Sequence, residues 1–131
     1  MNINEFIDNL KRDKARGNLA PHQVILLIAL YKIYKQHNSN FIDITQLIET
    51  FTKVWKENQN LFKSKNSNPG MPIKVFVNRG YLEIEIKEDI VDFRNKTELK
   101  EKISKIIIKK ILLNLFTVDQ IEEYLICRIK T

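Results

Sequence analysis

The sequence predicts a mainly helical α+β fold: winged helix-turn-helix-like helices, a small antiparallel β-hairpin and C-terminal helices. Three observations predict it. Apolar residues recur at helical spacing from the N-terminus to Trp55. Leu82, Ile84 and Ile86 then alternate with Glu83, Glu85 and Lys87, the period of a half-buried strand. From Thr97 onward the pattern reads as helical again. A chain of 131 residues has the size of one domain, so 1–131 is read as a single domain.

Ile3, Phe6, Ile7 and Leu10 predict an amphipathic helix over 3–16, which Gly17-Asn18 ends. Pro21 suits the first turn of a second helix, where its missing N–H costs nothing. Val24 to Tyr34 is apolar nearly throughout, so this helix is central and covered on most sides. His37-Asn38-Ser39-Asn40 is a polar turn, and Phe41–Ile44 alternates like a short strand. Asp43 or Thr45 caps a third helix with Leu47, Ile48, Phe51, Val54 and Trp55 on one face. Gln46, Thr50, Lys53 and Lys56 lie on the other.

Residues 63–70 form a loop poor in apolar side chains. Ile73–Val77 and Tyr81–Ile86 are predicted as two strands turned by Asn78-Arg79-Gly80, so that 73–87 is the wing. Thr97 caps a helix running to Phe116. Thr117-Val118-Asp119-Gln120 fits a capping box for a last helix with Val118, Ile121, Leu125 and Ile129 inward.

Composition excludes several classes. With 44% hydrophobic and 29% charged residues, the chain is globular rather than disordered. Its longest unbroken apolar run, Val24 to Tyr31, is eight residues. A membrane span needs about 20, so no membrane partner is expected. Met1–Glu5 lacks the charge and apolar run of a signal peptide. The single Cys127 excludes an internal disulfide and a Cys-rich zinc site, and a reducing cytoplasm is the expected setting.

The net charge of +6 is unevenly spread. Residues 1–80 hold 12 Lys or Arg against 6 Asp or Glu, whereas residues 81–131 hold 10 of each. Segment 51–80 alone carries Lys53, Lys56, Lys63, Lys65, Lys74 and Arg79 against Glu57. Such an excess suggests a polyanion, with those six residues and Asn68 as candidate contacts to duplex DNA. The plain alternative is a solubilising surface.

Catalytic signatures are weak. A His-Asn-His metal site needs several histidines, and His22 and His37 lie on different elements. Gly17, Gly70 and Gly80 are isolated, so there is no Gly-rich phosphate loop, and no nucleophile elbow occurs. Glu85-Ile86-Lys87 has the Glu-x-Lys spacing of metal-dependent nucleases, which Asp43 would complete. The same spacing recurs at Glu98-Leu99-Lys100, as expected by composition in a chain with 16 acids. No catalytic residue, metal or cofactor is expected. Asn68-Pro69-Gly70-Met71-Pro72 is more specific: two prolines stiffen a loop that presents Met71 beside Lys63, Lys65 and Lys74.

Ala20-Pro21-His22-Gln23-Val24-Ile25-Leu26-Leu27 resembles the Ala-Pro-His-Lys-Pro-Leu-Leu-Leu opening of the sulfur-binding domains of type IV restriction endonucleases. In that family a helix with a Phe and a Trp follows, as Phe51 and Trp55 do here. Asn68–Ile73 resembles its Asn-Pro-x-Tyr-Pro-Phe loop, and Val75–Leu82 its x-x-Leu-Arg-x-Asp-Gly-Phe-Trp segment. Its helices with a Leu-rich segment compare with Leu99–Phe116, so the likeness runs from about residue 18 to 117.

The resemblance implies a reader of phosphorothioated DNA, in which sulfur replaces a non-bridging phosphate oxygen. It implies a sulfur and phosphate pocket of His22, Gln23, Met71, Pro72 and Val75. Gln23 lacks the family's charge at its position, Met71 replaces a Tyr, and Val75 is bulkier than the usual small residue. Family nucleases add a His-Asn-His domain, so cleavage would come from a nuclease partner. Two other functions compete: a winged-helix regulator reading bases through Gln46, Thr50 and Lys53, and a small magnesium nuclease using Glu85 and Lys87.

Overall fold

The computed structural model describes Glu5, Phe6, Leu10 and residues 21–130. Most of the predicted first helix, and the Gly17-Asn18 stop, lie outside the described residues. Glu5, Phe6 and Leu10 are helical, and Phe6 and Leu10 are buried.

The first long helix, α1 (Pro21–His37), is the central element. Val24 through Leu30 are fully buried, as an apolar run without a polar face requires. It packs against α2 (Ile44–Glu57), α3 (Gly70–Asn78) and α6 (Ile121–Lys130). After α1, Asn38 takes a left-handed φ of 50° and its N–H returns to Tyr34 O at 2.7 Å, which ends the helix. Strand β1 is short, Phe41–Ile42. Asp43 caps α2 as expected, its carboxylate accepting from the Gln46 N–H at 3.0 Å. The predicted apolar face of α2 is buried, and a single 3-10 turn, Gln59–Leu61, leads into the loop.

The expected strand at Ile73–Val77 is instead the body of α3. Ile73, Val75 and Val77 alternate and are β-branched, which imitates a strand. The buried residues are Gly70, Pro72, Ile73 and Phe76, a helical stripe. Pro72 is tolerated because first-turn N–H groups have no intrahelical acceptor. The Asn78-Arg79-Gly80 segment is therefore not a hairpin turn but the end of α3. Gly80 has φ 79°, its N–H reaches Val77 O at 3.1 Å, and the Tyr81 N–H reaches Phe76 O at 2.9 Å. Those two bonds define a Schellman cap, and the Tyr81 and Phe76 rings meet at 5.5 Å beneath it. The wing over 73–87 does not exist.

The antiparallel sheet keeps the expected strands near Phe41 and over Leu82–Ile86, but pairs them through a strand that was not expected. Strand β2 (Leu82–Ile86) pairs with β3 (Ile103–Ile108), which also pairs with β1, giving the order β1-β3-β2. The predicted helix from Thr97 to Phe116 is thus broken into α4 (Lys96–Lys102), β3 and α5 (Lys110–Leu115). Ile103 and Ile106 are three apart, which suits a helix face. In the strand they share the buried side because a bulge intervenes. Ile86 pairs with Ile103 and Glu85 with Lys105, leaving Ser104 as the extra residue. The Ser104 hydroxyl donates to Glu85 O at 3.0 Å.

Two caps also move. Asn95, rather than Thr97, caps α4 by accepting from the Glu98 N–H at 3.0 Å. Thr117 donates to Asn114 O at 2.6 Å, closing α5 instead of opening α6. Ile121, Leu125 and Ile129 are buried as expected, and Val118 is half-buried. The fold class is α+β and mainly helical. Among the described residues, no helix is long and apolar enough to cross a membrane.

Candidate functional site

A cavity of about 490 Å³ opens where the start of α1, loop 62–69, α3 and loop 87–95 meet. Its size falls in the range of about 300–1,000 Å³ usual for ligand sites. His22 and Gln23 from α1 line it, together with Met71, Pro72 and Val75 from α3. Asn66, Asn68 and Arg94 complete the lining. The structure thus brings together five residues from two distant sequence segments, the same five that the resemblance names.

Trp55 supports the α1 side. It is buried, 5.9 Å from the Phe51 ring and 4.6 Å from that of Phe62. Its indole N–H donates to Gln59 Oε1 at 2.7 Å, and the Gln59 amide donates to Ser64 O at 2.9 Å. The His22 ring lies 4.8 Å from Trp55. His22 Nε2 sits 2.6 Å from Asn66 O, a pure acceptor, so that nitrogen carries the proton and donates. Burial pushes the His22 pKa below its ordinary value of 6.5, against the opposing effect of the Asn66 bond, so the ring is neutral at pH 7.

Gln23 is only 7% exposed, yet its Oε1 is buried without a hydrogen-bond partner. Leaving a buried amide oxygen without a donor costs stability.

The opposite wall depends on a close approach. A Cβ on Gly70 would stand 1.6 Å from Phe93 O, so only glycine lets loop 87–95 lie against the start of α3. Asn68 fastens the contact: its Oδ1 accepts from the Gly70 N–H at 2.8 Å while its Nδ2 donates to Arg94 O. Farther back, Glu98 accepts from the Val91 and Asp92 N–H groups. Lys102 bridges Glu98 at 2.8 Å and Asp89 O at 3.0 Å. The Lys102 and Val91 bonds hold the Glu98 carboxyl below its ordinary pKa, and Glu98 raises that of Lys102.

Met71 stands at the mouth, 40% exposed, while Pro72 is buried and Val75 half-buried. These three side chains offer carbon and thioether surface and no hydrogen-bond donor. Among the described residues lining the cavity, Arg94 alone carries a fixed charge.

The basic candidates are spread over neighbouring elements. Lys63 and Lys65 are exposed in the loop that leads to Asn66, and Lys74 is exposed on α3, its ammonium 5.7 Å from the Phe93 ring centroid. Lys53 and Lys56 are exposed on the outer side of α2, and Arg79 is half-buried at the end of α3. Sequence reading missed Asn66 and Arg94. Arg94 belongs to the charge-balanced half, so counting charges passes over it; only the approach of Phe93 to Gly70 brings it to the rim.

Three of the competing candidates already have partners. Gln46 bonds His37 at 2.8 Å, Asp43 caps α2, and Glu85 lies 3.9 Å from Lys105. Lys87 falls beyond the end of β2. Among the described residues, no group of three or more His, Cys, Asp or Glu is arranged to hold a metal ion. No protein-family model matches the chain, and no curated protein matches it.

Proposed function

We propose that this chain is a noncatalytic DNA-binding module, acting in the cytoplasm, that recognises phosphorothioate-modified duplex DNA through the cavity beside α1. The observation that carries the reading is the convergence of His22, Gln23, Met71, Pro72 and Val75 on one cavity with lysines on the elements around it.

The physics supports the same ligand. An anionic phosphate oxygen leaving water needs hydrogen-bond donors, and apolar walls supply none, so burying it there costs free energy. Sulfur is larger and more weakly hydrated, so the same walls favour it. The first turn of α1 presents backbone N–H groups that suit the remaining phosphate oxygen. Lys63, Lys65 and Lys74 supply attraction to the flanking phosphates that does not depend on sequence. Cleavage falls to a nuclease partner.

The test is one duplex with and without a single phosphorothioate, titrated at matched salt. One apolar contact discriminates by roughly 10- to 200-fold, so a preference of about tenfold or more is expected. Binding of the two duplexes within twofold would remove the proposal.

A further inference from the structure

We propose that the outer edge of β2 is a docking site for a partner protein, which adds to the sheet an extended segment carrying Lys or Arg at alternate positions. The inference does not depend on the DNA-binding reading.

The register places the backbone groups of this edge. The Lys109 N–H donates to Tyr81 O at 3.0 Å, and the Lys87 N–H donates to Lys102 O at 2.7 Å. Between these ends Glu83 faces Ile107 and Glu85 faces Lys105. Bonded and non-bonded pairs alternate along an antiparallel ladder, so Tyr81, Glu83, Glu85 and Lys87 turn their backbone groups toward β3. The N–H and C=O of Ile84 and Ile86 therefore point away from it. Among the described residues no strand pairs on that side, because the sheet order is β1-β3-β2. α3 packs against β2, and Leu82 is buried, but Ile84 is half-buried and Ile86 is 43% exposed. The strand thus opens toward its end. The opposite edge, β1, has two residues, too few for a ladder.

An edge of this kind is a template for another strand, and charge decides which. Glu83 and Glu85 stand on the exposed face of the sheet with side chains more than half exposed. Lys109 and Lys105 reach them at 3.3 and 3.9 Å. Such surface pairs are weak, and each carboxylate keeps acceptor sites for a second cation. Two copies of β2 do not suit each other. Paired antiparallel about Ile84, Glu83 of each copy would face Glu85 of the other, and like charges directly opposite destabilise a pair. The same carboxylates repel a nucleic-acid backbone. A strand with Lys or Arg opposite Glu83 and Glu85, and an apolar residue between them opposite Ile84, suits both faces of the sheet.

The experiment adds synthetic peptides to the full chain and follows the Ile84 and Ile86 amide signals by NMR. One peptide is four Lys-Val repeats, the other four Glu-Val repeats. The net charge of the chain is +6, so non-specific attraction favours the acidic peptide. The Lys-Val peptide should nonetheless shift both signals and slow the exchange of both amides with water. Its affinity read at these two signals should exceed that of the Glu-Val peptide by about fivefold or more, the scale of two cross-strand charge pairs. Glu83→Gln with Glu85→Gln should bring the two peptides within about twofold of each other. A Lys-Val peptide N-methylated at every valine keeps its charge and loses the donors that face Ile84, so it should not bind there. No response of Ile84 and Ile86 to the Lys-Val peptide at up to about 1 mM, enough for a weak complex, would overturn the proposal. Equal binding of the Glu-Val peptide, or of the methylated one, at these signals would overturn it too. Protection of the same amides as the chain alone is concentrated would assign the edge to a second copy instead.

Discussion

Met71→Lys is the most informative single substitution. Met71 is 40% exposed at the mouth of the cavity, so a longer charged side chain fits there without disturbing the core. Stability should change by no more than about 0.5 kcal/mol, as for most surface substitutions. The effect on recognition is larger. If the methionine and a bound sulfur together remove about 40–60 Å² of apolar surface from water, the contact is worth about 1–1.5 kcal/mol. That is about a five- to thirteenfold preference, and lysine forfeits it while attracting an ordinary phosphate oxygen. The variant should therefore lose most of the preference for modified DNA and bind plain DNA at least as well, with a log–log salt slope steeper by about 0.9. Fluorescence anisotropy on both duplexes at several salt concentrations reads all three quantities. Met71→Leu, which keeps an apolar side chain of similar volume, should retain the preference. A lysine variant with the wild-type ratio of modified to plain binding would show that Met71 does not face the sulfur.

Gly70→Ala should destabilise the fold by about 1–3 kcal/mol, because the added carbon meets Phe93 O at 1.6 Å and the loop must retreat. Urea denaturation should show a lower midpoint with an unchanged slope. The triple change of Lys63, Lys65 and Lys74 to Ala should flatten the salt slope by up to about 2.7 for both duplexes, with the modified-to-plain ratio kept. Stability should also depend on pH through His22. Its pKa is lowered in the folded state, so the unfolded chain takes up the proton first. The contribution of the neutral, buried ring is full above the ordinary value of 6.5 and is lost as pH falls from there through the folded pKa. Urea midpoints at about pH 7.5 and about pH 5.5 should differ more for the wild type than for His22→Gln.

Some of this architecture is legible in the sequence and some is not, for physical reasons. The α1 run has no polar face and the α2 stripe is clean and capped by Asp43, so local pattern and burial agree there. At α3 they conflict. Three β-branched residues in alternation outweigh the Ile73 and Phe76 pair, and Gly80 serves a hairpin turn and a helix cap equally well. At β3, the extra Ser104 puts two isoleucines three residues apart on one side of a strand, a spacing otherwise taken for helix. The cavity is visible in the sequence only as far as its motifs. His22 through Gln23 and Met71 through Val75 lie in recognisable segments, whereas Asn66 and Arg94 join through tertiary contacts to His22 and Asn68. No local pattern announces such contacts.

The most direct test of the central claim is to locate the sulfur. Methyl-resolved NMR of the full chain can follow the Met71 ε-methyl and the Val75 γ-methyls while plain and singly phosphorothioated duplexes are added. Sulfur in the cavity predicts that these methyl signals, and the His22 ring signals, shift differently with the two duplexes, while signals of exposed Lys53 and Lys56 shift alike with both. If the Met71, Val75 and His22 signals respond identically to the two duplexes, the cavity does not receive the sulfur and the proposed function is contradicted.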